Sequence, residues 1–74
     1  MEIANTYFAN FHDIYVRYGA IGIKLTSGGN NTFNNITLMN QTTAGMQVGE
    51  NSGENIYENF NISIDASGSG ITMQ

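Results

Sequence analysis

His12-Asp13 is the pairing in this sequence that most suggests acid–base or metal chemistry. An aspartate can hold one imidazole nitrogen and leave the other free to move a proton or to bind a cation. In an extended strand, however, adjacent residues point to opposite faces, and no second His exists to complete a metal site. The pair therefore reads as a surface His beside an Asp, and no metal or cofactor is expected. Asp13 and Asp65 are the candidates for the two carboxylates of glycoside hydrolysis, one protonating the leaving oxygen while the other activates water or attacks. Cys is absent and no Gly-x-Ser-x-Gly elbow occurs, so neither a thiolate nor a serine nucleophile is on offer. Tyr7, Tyr15 and Tyr18 stand among Asn, Gln and Thr, a combination suited to neutral sugars, whose rings stack on aromatic faces and whose hydroxyls hydrogen-bond to amides. Asn30, Asn35, Asn40 and Asn61 each begin an Asn-x-Ser/Thr triplet; in a chain this rich in Asn and Thr such triplets arise by accident, and none is read as glycosylated.

The elements that must hold these residues are constrained by length and composition. Seventy-four residues make one small domain or a segment of a larger protein. A formal charge of −4, from two basic and six acidic residues, argues against nucleic acid or an anionic membrane as partner. No apolar run reaches the roughly 18 residues of a membrane span, and Met1-Glu2-Ile3-Ala4 lacks the basic start of a signal peptide. Eleven Asn, nine Gly and no Pro, with charged residues at only 11%, is a biased composition, yet eight Phe and Tyr separate it from a disordered chain.

The chain repeats itself. Aromatic-x-Asn-apolar tetrads occur as Phe8-Ala9-Asn10-Phe11, Phe33-Asn34-Asn35-Ile36 and Tyr57-Glu58-Asn59-Phe60, starting 25 and 24 residues apart. Gly-apolar-x-apolar blocks follow them as Gly22-Ile23-Lys24-Leu25, Gly45-Met46-Gln47-Val48 and Gly70-Ile71-Thr72-Met73, 23 and 25 apart. Within each repeat the apolar spacing is two, the strand period, and Gly, Ser and Asn clusters such as Thr26-Ser27-Gly28-Gly29-Asn30 supply turns. Phe11-His12-Asp13-Ile14-Tyr15-Val16 runs one residue out of phase, which predicts a bulge in the first repeat.

Three short strands per period of about 24 predict an all-β fold: one parallel β-helix segment over residues 1–74, with about three coils. The interior columns are then Ile23/Met46/Ile71, Leu25/Val48/Met73, Phe8/Phe33/Tyr57 and Phe11/Ile36/Phe60. Asn10, Asn35 and Asn59 form a column of amides at a bend, where Asn tolerates left-handed backbone. A leucine-rich repeat is the rival, since Phe33-x-x-Ile36-x-Leu38 mimics its opening, but Gln41 stands where that repeat wants Asn. On the outside, Lys24, Gln47 and Thr72 align into a polar stripe, bordered by Tyr15 and Tyr18 through the preceding loop and by the loop around Asp65. Asp13 and Asp65, two coils apart, would be about 9–10 Å apart in a shared column. That is the outer limit for an inverting glycosidase. They also fall at different offsets, two residues after Phe11 and five after Phe60.

The tetrads and Gly-Ile-x-Leu blocks resemble the right-handed parallel β-helix repeats of the pectate-lyase-like superfamily, which includes polysaccharide lyases, polygalacturonases and phage tailspikes. Low charge and abundant Asn, Gly and Ser look most like a tailspike or fibre segment. The resemblance implies a polysaccharide or cell-surface glycan as partner, an extracellular or virion-associated setting, and either further coils of a parent chain or a homo-oligomer, a trimer by analogy with tailspikes. It implies two other roles as well: the catalytic segment of a polysaccharide lyase or glycoside hydrolase, and a structural fibre module. Lys24 matches the Lys of the polygalacturonase site, but Ile21-Gly22 stand where that family has its other residues.

Overall fold

The computed structural model describes residues 1–64 and 69–73. Among these there is no helix. The chain forms strands β1 (Glu2–Ile3), β2 (Thr6–Tyr7), β3 (Asn10–Arg17), β4 (Ile21–Gly29), β5 (Thr32–Met39), β6 (Ala44–Ser52), β7 (Ile56–Ser63) and β8 (Ser69–Met73). One sheet has the order β1-β4-β6-β8, with β2 also pairing β4; the other has the order β3-β5-β7. All pairings are parallel. Parallel neighbours cannot be joined by a tight hairpin. Here each same-sheet connection is made by a strand of the other sheet.

Alternation along β4 and β6 turns Ile23, Leu25, Met46 and Val48 inward, where all four are buried. Their register is the expected one: Ile23 opposite Met46 opposite Ile71, and Leu25 opposite Val48 opposite Met73. Ile3 opposite Leu25 adds a fourth rung. From the second sheet Phe33, Ile36 and Leu38 of β5 complete the core, all at 0% exposure.

The first repeat departs from expectation. Phe33 stacks on Phe11, not Phe8, with ring centroids 5.0 Å apart, and on Tyr57 at 5.7 Å. Ile36 accordingly lies between Ile14 and Phe60. Phe8 is instead 80% exposed, at a corner with φ 56°. The true first tetrad is Phe11-His12-Asp13-Ile14, in which Asp replaces Asn. Asp13, Asn35 and Asn59 share left-handed backbone (φ 56°, 59° and 53°), while Asn10 is an ordinary strand residue opposite Thr32. The bulge expected in the first repeat is absent from the β3–β5 register; the irregularity lies between Leu25 and Ser27, in the β4–β6 pairing. The three short strands expected per repeat are two longer ones, because β3, β5 and β7 continue through the left-handed residue.

That backbone requirement explains the abundance of Asn. Among the described residues, five of the eight non-glycine residues with positive φ are Asn: Asn5, Asn30, Asn35, Asn40 and Asn59. Asn visits this region at lower cost than other residues with a Cβ. The glycine markers have a different cause. A Cβ on Gly22 would lie 2.6 Å from the Gly45 carbonyl oxygen, and one on Gly45 would lie 2.9 Å from that of Gly70. Successive strands approach too closely there for any side chain.

Candidate functional site

The outward column of the first sheet is built by simple alternation. Between inward Ile23 and Leu25, Lys24 must face out, and its register partners are Glu2, Gln47 and Thr72. The stripe thus crosses four strands, one rung about every 4.8 Å. Lys24 is exposed, and Gln47 and Thr72 are half-buried. Among the described residues, none of these three side chains is committed to a hydrogen bond within the chain. They remain available to hydroxyl groups.

The two tyrosines expected to border this stripe are separated. Tyr15 is not in a loop; it lies within β3, opposite Thr37 and in line with Asn61, on the outward face of the second sheet. It is 59% exposed, and its hydroxyl donates to Met39 Sδ at 3.3 Å. Tyr18 occupies the corner leading into β4, with φ 71° and the Arg17 guanidinium 5.0 Å from its ring centroid. Only Tyr18 stands beside the start of the first sheet.

His12 and Asp13 are brought together, against the expectation that neighbouring strand residues diverge. The left-handed backbone at Asp13 breaks the alternation, so both side chains face out and His12 Nδ1 lies 2.9 Å from Asp13 Oδ2. Asn35 Nδ2 donates to the other carboxylate oxygen at 2.6 Å. The hydrogen bond with His12, then that from Asn35, hold the Asp13 carboxyl below its ordinary pKa. A carboxylate held ionised accepts protons poorly and has none to give, so it suits a positioning role better than that of a general acid. Asp65, the other carboxylate candidate, lies outside the described residues. No group of three His, Asp or Glu side chains with metal-binding proximity occurs among the described residues, and no cavity is found.

The amides that matter most to the interior are not those of the expected column. Asn35 and Asn59 are exposed, with Asn59 Nδ2 donating to Asn34 Oδ1 at 2.8 Å. Asn31, by contrast, is fully buried. Its Oδ1 accepts from the Ala9 N–H at 2.9 Å, and its Nδ2 donates to the Thr6 carbonyl at 3.0 Å. Its own N–H donates to Asn55 Oδ1 at 3.0 Å, so the same contact recurs one repeat later. Gln41, also fully buried, donates from Nε2 to the Val16 and Tyr18 carbonyls, both at 3.2 Å. The spacing of 24 between Asn31 and Asn55, each two residues before the stacked aromatic, was the available signal. Ala9 at the equivalent place in the first repeat conceals it.

The chain matches no protein-family model, no curated protein and no solved structure.

Proposed function

We propose that this chain is a segment of a right-handed parallel β-helix, about three coils long, that binds a polysaccharide along the outward face of its first sheet. Three features support the β-helix reading: all pairings are parallel, the chain alternates between two sheets, and inward columns repeat once per period. Crossovers between parallel strands are right-handed in the great majority of proteins, which supports the hand. The observation that carries the function is the Glu2/Lys24/Gln47/Thr72 column: a ladder of polar side chains that make no side-chain hydrogen bond among the described residues. An extended chain of hydroxyls can follow such a ladder from strand to strand, and the exposed Tyr18 stands at the corner leading into β4. A tailspike-like or other secreted carbohydrate-binding protein, extracellular or virion-associated, is the setting this reading fits.

Titration of neutral oligosaccharides, followed by backbone amide shifts, tests the assignment. Shifts centred on Lys24, Gln47 and Thr72, reduced by Gln47→Ala, are the expected result. Shifts confined to the second sheet around Tyr15, Thr37 and Asn61, or none at any concentration, would reject it. A reducing-end assay on the same mixtures separates binding from cleavage by a lyase or hydrolase.

A second reading, a structural module within a fibre, is favoured by one specific observation. The inward residues of the outer strands β3 and β7 pack on the core yet remain partly exposed: Phe11, Ile14 and Val16 on one side, Tyr57, Phe60 and Ile62 on the other.

A further inference from the structure

We infer that the corner at Tyr7 and Phe8 is a second sugar site, in which the Phe8 ring stacks on one face of a neutral pyranose beside Tyr7, Asn30 and Glu54. The ligand class rests on the polysaccharide reading; the place is separate. Tyr7 lies opposite Gly29, five residues along β4 from Lys24, or roughly 16 Å from the stripe.

Stability does not account for Phe8. Its backbone is left-handed, with φ 56°, a conformation that costs any residue with a Cβ and suits Asn better than Phe. Its ring is 80% exposed, so burial returns little of that cost. The N–H of Thr32 donates to the Ala9 carbonyl and that of Ile56 to the Asn31 carbonyl, which sets Phe8, Asn30 and Glu54 in one corner column. Asn30 takes the same turn at φ 55° without an apolar side chain. Asn30 also has a rung on each side of it and is still exposed, so this corner faces outward at every level of the stack. A strained residue presenting a bare aromatic ring, where the fold is served as well by Asn, points to a contact outside the chain.

The surroundings select the ligand. Tyr7, 60% exposed, stands beside a strip without side chains: Gly29 is its register partner, and a Cβ on Gly29 would lie 3.1 Å from Gly53 Cα. Next to Phe8 in the corner column come an amide and a carboxylate, both exposed. Among the described residues, the side chains of Asn30 and Glu54 make no hydrogen bond. An apolar protein or lipid surface seated on Phe8 would strip water from both without replacing it. A pyranose sets its C–H face on the ring and its hydroxyls at the rim, where one accepts from the Asn30 amide and another donates to Glu54. Glu54 disfavours an anionic sugar, and the chain's two cations, Arg17 and Lys24, lie outside the corner. β-Linked glucose, with every hydroxyl equatorial, offers the flattest C–H face, so cellotetraose is the probe.

Titration of the chain with cellotetraose, followed by backbone amide shifts and by the sugar's own proton spectrum, tests the site. Amide shifts at Tyr7, Phe8, Asn30 and Glu54 are expected, with the sugar ring protons moved upfield by the aromatic ring current. Phe8→Asn should unfold at higher denaturant than wild type and yet bind about ten-fold more weakly. Phe8→Tyr should bind as wild type does, whereas Phe8→Leu, apolar but without a ring face, should resemble Phe8→Asn. No corner shifts up to the solubility limit, or Asn and Leu variants that bind as wild type does, would overturn the inference. A wild type that shows no sugar shifts but dimerises in sedimentation or binds phosphatidylcholine vesicles, either abolished by Phe8→Asn, would overturn it in favour of an apolar partner. Shifts at Lys24, Gln47 and Thr72 without the corner reject this site alone. Corner shifts without the stripe reject the stripe alone, and shifts at neither place reject sugar binding altogether.

Discussion

The middle strand of the second sheet and its two neighbours have nearly the same sequence pattern and very different surroundings. Phe33, Ile36 and Leu38 of β5 are completely buried, while their partners on β3 and β7 are only half-buried. Hydrophobic content is not the difference, since Phe11-x-x-Ile14-x-Val16 is as apolar as Phe33-x-x-Ile36-x-Leu38. What differs is the number of covered sides. A rung in a stacked column is buried by the rungs on either side of it as much as by the sheet opposite. Position in the stack, more than residue type, decides what each side chain contributes.

The largest expected effect follows directly. Phe33→Ala removes a ring stacked on both faces and should cost about 3–5 kcal/mol in chemical denaturation, whereas Phe11→Ala, with one ring neighbour, should cost about half as much. Equal costs would break the comparison. Next comes the buried amide. Asn31→Ala leaves the Ala9 N–H and the Thr6 carbonyl without their partner, at about 1–3 kcal/mol for each group. Asn35→Ala, at an exposed site with left-handed backbone, should cost only about 1–2 kcal/mol. Gly45→Ala should cost roughly 1–3 kcal/mol, because its Cβ would press on the Ile62 side chain at 2.8 Å and on the Gly70 carbonyl. Gly70→Ala, with nothing among the described residues within 4 Å of its added Cβ, should stay within about 0.5 kcal/mol of wild type in the same melt.

Two smaller effects sharpen the contrast at the first repeat. Phe8 holds the left-handed corner that Asn30 holds one repeat later, and it does so with an exposed ring. Phe8→Asn should therefore stabilise the chain by about 1 kcal/mol in thermal or denaturant unfolding. Asp13 supplies the smallest effect, a pH dependence. Its folded pKa is depressed, so its ionised contacts stabilise at pH above the unfolded value and are lost as the pH falls through the folded one. Asp13→Asn should flatten that part of the acid limb of melting temperature against pH, because the contribution it removes is the one present at neutral pH, and the two proteins should converge at the acid end.

Much of this arrangement was legible in the sequence because columns must be filled by equivalent residues. The glycine blocks gave the register of β4, β6 and β8, and with it the Ile23/Met46/Ile71 column, buried at Ile23 and Met46 but exposed at Ile71 on the edge strand, and the Lys24/Gln47/Thr72 stripe. The first repeat was misread for a chemical reason. Asp and Asn both fit a left-handed backbone, and an Asn-only pattern picks out Asn10 and shifts the aromatic column from Phe11 to Phe8. Allowing Asx at that place aligns Phe11-His12-Asp13-Ile14 with the other two tetrads, 22 residues before Phe33. The position of Tyr15 went astray with the same shift, and so did the meeting of His12 with Asp13. The buried role of Asn31 was hidden differently: burial of an amide depends on which backbone groups converge on it, and a pattern of residue types does not record that.

The aromatic column is where the in-register parallel stack can be tested most directly. A nuclear Overhauser spectrum of the monomeric chain should show the Phe33 ring in contact with the rings of both Phe11 and Tyr57, and no contact between Phe33 and Phe8. Contacts from Phe33 to Phe8, or cross-strand contacts in an antiparallel pattern between β3, β5 and β7, would contradict it.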